Sequence, residues 1–190
     1  MLLHVCCADC FLKLYQSFSR KQKNNLQVLF YNPNICPREE YMARLKAIKK
    51  VVQQLDQKIK IIVPAYQPQT YFNNLKKLNL KQNPKNQNFA IPNKKSRCPV
   101  CWLERLEFLF KTAQENNIDQ VSSTLLSSGY QDVATILKIA QHLSEKYQIN
   151  FYMPELEKIN HQQKTGGFYK QNYCGCLYSL IEKSREKYDL

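Results

Sequence analysis

The chain has 190 residues, is 44% hydrophobic and carries a formal net charge of +13. That length fits one domain with a real core, the composition excludes a disordered chain, and the charge points to a polyanionic partner, nucleic acid first. No apolar run approaches the ~20 residues of a membrane span, and the opening MLLHV lacks the basic n-region of a secretory leader, so a cytoplasmic protein without a membrane partner is expected.

In chain order, Leu2–Val5 is short and apolar and reads as a buried strand. Asp9–Arg20 reads as a helix with Phe11, Leu14, Tyr15 and Phe18 on one face. Gln27–Asn34 reads as a second strand running into an Asn-Pro turn, and Pro37 opens a helix over about Arg38–Leu55 with Tyr41, Leu45, Ile48, Val52 and Leu55 as its apolar stripe. Lys60–Val63 is a third strand and Tyr71–Leu80 a further helix. The polar stretch Lys81–Arg97, with Pro84 and Pro92, is expected to be an exposed basic loop. Pro99 stands near the start of a helix over Cys98–Asn116; Val121–Leu126 is a fourth strand, Gln131–Tyr147 a helix, Ile149–Met153 a fifth strand and Cys176–Tyr188 a last helix. Alternating strands and helices predict one α/β domain over 1–190, with a parallel sheet of about five strands and helices on both faces. Ligands of such sheets gather at the carboxyl ends of the strands. Cys6 and Cys7, Asn32–Asn34 and Thr124–Tyr130 all fall at that edge.

The charge is unevenly placed. Between Gln57 and Leu103 there is no Asp or Glu, while Lys58, Lys60, Lys76, Lys77, Lys81, Lys85, Lys94, Lys95 and Arg97 fall there. For any one lysine a solvated surface is explanation enough. For a whole acid-free segment a phosphate-facing surface is the preferred reading.

The chain has 8 cysteines, and all but Cys36 fall into three groups: Cys6-Cys7-x-x-Cys10, Cys98-x-x-Cys101 and Cys174-x-Cys176. Clustered thiols in a cytosolic chain point to metal or redox chemistry rather than disulfides. Thiolates suit iron–sulfur clusters and zinc. Seven clustered cysteines exceed one tetrahedral zinc site and fall short of two all-cysteine sites, whereas a [4Fe–4S] cluster takes four and leaves three, with Asp9, for a second metal. Iron–sulfur is therefore preferred to zinc, and a plain redox pair comes third. Helix starts near Cys10 and after Cys98 would aim N–H groups at the sulfurs. No G-x-x-x-x-G-K-[ST] or G-x-G-x-x-G motif is present, so the loop after strand one is not a phosphate cradle. His4, His142 and His161 are scattered and read as strand and surface residues.

LLHVCCADC, FYNPNICPREEYMAR, RCPVCWLERL, STLLSSGYQ and YKQNYCGCLYS, spread from Leu2 to Ser179, resemble the motifs of the cobalamin-independent epoxyqueuosine reductases, the QueH family. The resemblance implies an adenine-nucleotide-α-hydrolase-like (HUP) sheet whose phosphate loop is replaced by cysteines. It also implies reduction of the epoxide of epoxyqueuosine at the wobble position of tRNAs with GUN anticodons, giving queuosine and water. The implied cofactor is a [4Fe–4S] cluster with an adjacent mononuclear iron, fed by an external electron donor. Its ligands would fall on Cys6, Cys7, Cys10, Cys98, Cys101, Cys174 and Cys176. Three positions depart from the family pattern: Cys36 stands where His is usual, Gly129 where Pro usually precedes Tyr130, and Asp9 where Pro is frequent, next to a position that can be Cys or Asp, so that the metal ligand there is either Asp9 or Cys10.

Such a reaction needs a proton donor near the metal, and Asp9, Tyr130 and Tyr173 are the catalytic candidates. Single-stranded RNA is read by stacked aromatic rings and by basic residues on phosphates. Tyr31, Asn32, Asn34, Tyr41, Arg44 and Gln131 are accordingly the substrate-binding candidates, although a tyrosine serves as readily in packing. Lys81, Lys85, Lys94, Lys95 and Arg97 are the nucleic-acid candidates. Two rivals share these features: a zinc-stabilised RNA-binding protein without catalysis, and an iron–sulfur sulfur-transfer enzyme. The second ordinarily needs ATP, which the missing phosphate loop disfavours.

Overall fold

Leu2–His4 forms β1, the central strand of a five-stranded sheet in a computed structural model that describes residues 1–55, 58–82, 92–155 and 167–188. The other strands are β2 (Gln27–Leu29), β3 (Lys60–Ile62), β4 (Gln120–Ser123) and β5 (Asn150–Phe151). The helices are α1 (Ala8–Gln16), α2 (Arg20–Asn24), α3 (Arg38–Leu55), α4 (Pro68–Gln82), α5 (Lys94–Glu115), α6 (Val133–Tyr147) and α7 (Leu177–Tyr188), with a 3-10 turn at Thr124–Ser127. Strand order is β3-β2-β1-β4-β5 and every pairing is parallel.

The two-residue period of the strands sorts the core. Leu3 and Val28, paired in register, face α1 and α3 and pack with Phe11, Leu14, Leu45, Ile48 and Val52. Leu2, Leu29 and Val121 point the other way, into Leu106, Leu109 and Phe110 of α5 and Ile136, Ala140 and Leu143 of α6. Helices thus cover both faces, as expected for a parallel sheet buried on both sides.

Several boundaries differ from the sequence expectation, each for a local reason. The first helix stops at Gln16, because Ser19 and Gln22 form a capping box that starts α2. The helix expected from Cys98 starts at Lys94: the Asn93 side chain accepts the Ser96 N–H at 2.9 Å, and Pro99 sits inside the helix. The last residues of the expected basic loop are therefore helical, while 83–91 lie outside the described residues. The fourth strand ends at Ser123, whose hydroxyl accepts the Leu125 N–H and bends the chain into the 3-10 turn. Among the described residues no helix is long and apolar enough to cross a membrane.

From β1 the chain builds outward to β2 and β3 on one side; β4 and β5 lie on the other. The loops leaving β1 and β4 therefore diverge and open a crevice at the carboxyl edge, the topological switch point of the sheet. Cys6 and Cys7 follow β1 there, opposite the Thr124–Ser127 turn.

Candidate active site

Cys7 is the N-cap of α1, and its sulfur accepts the Cys10 N–H at 3.4 Å. The Cys6 N–H donates to Thr124 Oγ1 at 3.1 Å, the Thr124 hydroxyl contacts Cys6 Sγ at 3.3 Å, and Ser127 Oγ donates to the Cys10 carbonyl at 2.9 Å. The turn after β4 thus pins the loop after β1. The sulfurs of Cys6, Cys7 and Cys10 are buried and lie within 4.8 Å of one another, a group that could hold a metal ion. Among the described residues no other His, Cys, Asp or Glu trio is so tight.

The remaining paired cysteines come from α5 and from the loop entering α7. Cys98 and Cys101 are one helical turn apart. Cys176 caps α7, accepting the Ser179 N–H on its sulfur at 3.3 Å, and pairs with Ile35 in an isolated bridge. Tyr71 packs with Cys101 and Cys176, and the charges of Cys98, Cys101, Cys174 and Cys176 help burial to raise its pKa. Gly175, at φ +102°, lies under the Arg44 guanidinium, where a Cβ would sit 2.6 Å from Nη2. Only glycine meets both conditions. Arg44 is buried, paired with Glu40 at 2.6 Å, and donates to the Cys174 carbonyl at 3.1 Å.

Arg105 stands between the two cysteine groups with 2% of its surface exposed. It donates to Cys101 Sγ at 3.8 Å, to Asn32 Oδ1 at 2.8 Å and to His4 Nε2 at 3.3 Å. Hydrogen bonds from Cys10 and Cys7, helped by the Arg105 charge and Thr124, hold the Cys6 thiol well below its usual range against the cost of burial. Cys174 is lowered to about 6, first by a hydrogen bond from Cys176 and then by Arg105 and Gln131. Burial instead pushes Cys98 up to about 11 and Cys101 up to about 12. Cys6 and Cys174 are thus favoured as thiolates while Cys98 and Cys101 are not, and a metal would displace the remaining protons. His4 is lowered to about 3 by burial and by Arg105, so its imidazole is neutral.

A cavity of about 300 Å³ opens above Cys6, Cys7, Cys10 and Cys174. Asp9, Arg44, Tyr130, Gln131 and Tyr173, named above as candidates, line it. Asp9 pairs with Lys13 at 2.8 Å and with Lys170 at 3.6 Å. Tyr173 lies beside Arg44, whose guanidinium is 5.7 Å from the ring centroid. Gln131 accepts the Trp102 indole N–H at 2.6 Å and contacts Cys174 Sγ at 3.5 Å.

Other candidates lie elsewhere. Tyr31 stacks on Phe108 at 3.7 Å, beside a groove that also holds Glu104 and Glu107. Asn32 is buried and bonded to Val5, His4 and Arg105, so it supports the site without facing the cavity. Asn34 is buried outside the cavity lining, and Tyr41 packs in the core against Phe30 and Tyr66. Arg97 is 2% exposed, pairs with Glu182 at 2.5 Å and lies over Tyr178, an anchor between α5 and α7 rather than a phosphate contact. Lys94 and Lys95 are exposed beside the site; the Lys81 side chain and Lys85 lie outside the described residues. Cys36, against the Tyr66 hydroxyl at 3.5 Å, is absent from the cavity wall, and a side chain at Gly129 would meet nothing within 4 Å.

Thr124 and Ser127 lie in the stretch expected at the carboxyl edge; sequence reasoning missed Arg105, Lys13, Lys170 and Gln171. Helical spacing held a signal for two of them: Arg105 follows Cys101, and Lys13 follows Asp9, by four residues. The others reach the site only through tertiary folding.

A family model described as epoxyqueuosine reductase QueH matches residues 1–182. The chain is 29% identical over 187 residues to the epoxyqueuosine reductase QueH of Dehalococcoides mccartyi, covering 96% of this chain and 93% of that one. It is 29% identical over 196 residues to the protein of the same name from Thermotoga maritima, covering 99% and 93%. The Staphylococcus epidermidis counterpart is 25% identical over 193 residues, covering 96% and 77%. With cysteine groups meeting at a cavity on the switch point of its sheet and a family match over nearly its whole length, the chain belongs to the epoxyqueuosine reductase QueH family.

Proposed function

We infer that this protein is an epoxyqueuosine reductase, an oxidoreductase of tRNA modification that converts epoxyqueuosine at the wobble position to queuosine. The observation that carries the reading is the cysteine-floored cavity at the carboxyl edge of β1 and β4, in a chain matched by the family model over residues 1–182. The reaction takes two electrons and two protons; the epoxide oxygen leaves as water and an alkene remains.

The donor set fits the implied metal centre. Three buried sulfurs close together suit a single iron, so Cys6, Cys7 and Cys10, with Asp9 beside them, would hold the mononuclear site. Cys98, Cys101, Cys174 and Cys176 number four, the complement of a [4Fe–4S] cluster. When bound, this centre supplies electrons from an external donor and Lewis acidity.

The chain itself binds, orients and protonates. Tyr173 keeps its phenol proton, since burial and then Glu40 raise its pKa, and it faces the cavity as a proton donor. Tyr130 stands at the rim as a second donor. Asp9, in an ion pair with Lys13 on the cavity wall, is placed to ligate a metal or to orient a donor. Gln131 is aimed by Trp102 and can bond the base edge or the cyclopentane diol. The +13 charge draws the substrate, a tRNA with a GUN anticodon.

The test is anaerobic purification followed by iron, sulfide and zinc analysis, then incubation with epoxyqueuosine-containing tRNA and a reductant. About five irons and four sulfides per chain, together with queuosine in the digested tRNA, are expected. Zinc without sulfide and no queuosine would overturn the reading.

A further inference from the structure

A second groove, of about 640 Å³, adjoins the cysteine cavity and shares its wall at Gly129, Tyr130 and Gln131. Its floor is Pro99 and Trp102, and its rim carries Tyr130, which is 46% exposed, and the lysines Lys94 and Lys95. No acid stands in the first turn of α5, where the two lysines lie. The one carboxylate on the groove, Asp132, is occupied as the cap of α6: it accepts the Thr135 N–H at 3.2 Å and the Thr135 hydroxyl at 2.7 Å. An apolar floor, an exposed ring and two lysines that make no ion pair among the described residues form a surface for a base with its phosphate.

We propose that this groove takes the nucleotide next to the wobble nucleotide in the same RNA strand, its base stacked on Tyr130 over the Pro99–Trp102 floor and its phosphate on Lys94 and Lys95. The occupant follows from continuity. If the modified base enters the cysteine cavity, a strand that continues across the shared wall meets the groove directly. A negatively charged strand also matches the two lysines. The proposal rests on the reductase reading and adds a consequence: the enzyme prefers an anticodon stem–loop to the free nucleoside, and Tyr130 supplies part of that preference by stacking rather than through its hydroxyl.

Trp102, the sole tryptophan, provides a probe inside the groove. The experiment titrates the metal-loaded protein with an epoxyqueuosine anticodon stem–loop and with the free nucleoside, reading Trp102 emission and affinity. The stem–loop is expected to change the emission beyond the change the nucleoside makes, because the nucleoside reaches Trp102 only through Gln131. Tyr130→Ala, and separately Lys94→Ala with Lys95→Ala, should lower the preference for stem–loop over nucleoside by about tenfold. Tyr130→Phe should retain it. An unaltered preference in both the Tyr130→Ala and the double-lysine variants, or a stem–loop that binds without moving Trp102 emission beyond the nucleoside's change, overturns the groove assignment. The reductase reading fails on a different result, a wild-type protein that binds the stem–loop and yields no queuosine. A protein that binds no stem–loop overturns both.

Discussion

Arg105 is the buried cation on which the site depends. It touches Cys101, Asn32 and His4 at once, and its charge lowers the thiols of Cys6 and Cys174. Arg105→Met would leave Asn32 and the thiolates without their partner. It should destabilise the protein by about 3–5 kcal/mol, as removing one member of a buried charged network does, and lower the iron retained on purification; urea unfolding and metal analysis check both. Gly175→Ala attacks the site from the other side. The added Cβ would collide with Arg44, and the φ of +102° strains any other residue, so a cost of about 1–3 kcal/mol and loss of iron are expected. His4 sets an acid limit. Its folded pKa of about 3 lies below the ordinary 6.5, so the unfolded chain takes up a proton that the native state refuses. Its contribution is complete above pH 6.5 and lost as pH falls toward 3. Unfolding measured across that window should show a shallower decline for His4→Gln than for wild type.

Among the elements, α5 does the most. One face buries Leu106, Leu109, Phe110 and Ala113 against the sheet and α6, and the same helix carries Cys98, Cys101, Trp102 and Arg105. Core and site therefore share a rigid body. Phe110→Ala empties a fully buried position and should cost about 3–5 kcal/mol in urea unfolding, with cysteine chemistry altered only through loss of fold. Helical periodicity reveals this element, but Pro99 suggests too late a start, because the Asn93 cap decides the boundary. The capping box at Ser19 was likewise readable, and it explains why the first helix stops early.

In the whole molecule, three chain segments far apart in sequence converge on one crevice: the loop after β1, α5 through Arg105, and the loop before α7. The proposed metal centre would tie them together only in the native state, so its removal is expected to destabilise by mass action. A hundredfold excess of free metal over Kd corresponds to about 2.7 kcal/mol. Chelator treatment should therefore lower Tm, by roughly 2–4 °C for each kcal/mol lost in a chain of this size. Calorimetry of loaded and stripped protein checks this.

Periodicity, capping and punctuation are local, and they sufficed for the five strands, most helices, the parallel sheet and the edge where Cys6 and Cys7 lie. Residue chemistry sufficed for the grouping of seven thiols and for the charge that favours RNA. What local patterns leave open is which side of an element meets which neighbour. Tyr31 and Tyr41 sit in the same motif as Arg44, yet packing sends Tyr31 to Phe108, Tyr41 to the core and only Arg44 to the cavity wall. Arg97 looked like one more surface cation until Glu182, 85 residues away, took it into a buried pair. The close trio of Cys6, Cys7 and Cys10, the Arg105 bridge and the approach of Gly175 to Arg44 depend on contacts between residues distant in sequence. Such contacts form only when the sheet closes and its two faces are covered, and so the tertiary structure alone decided them.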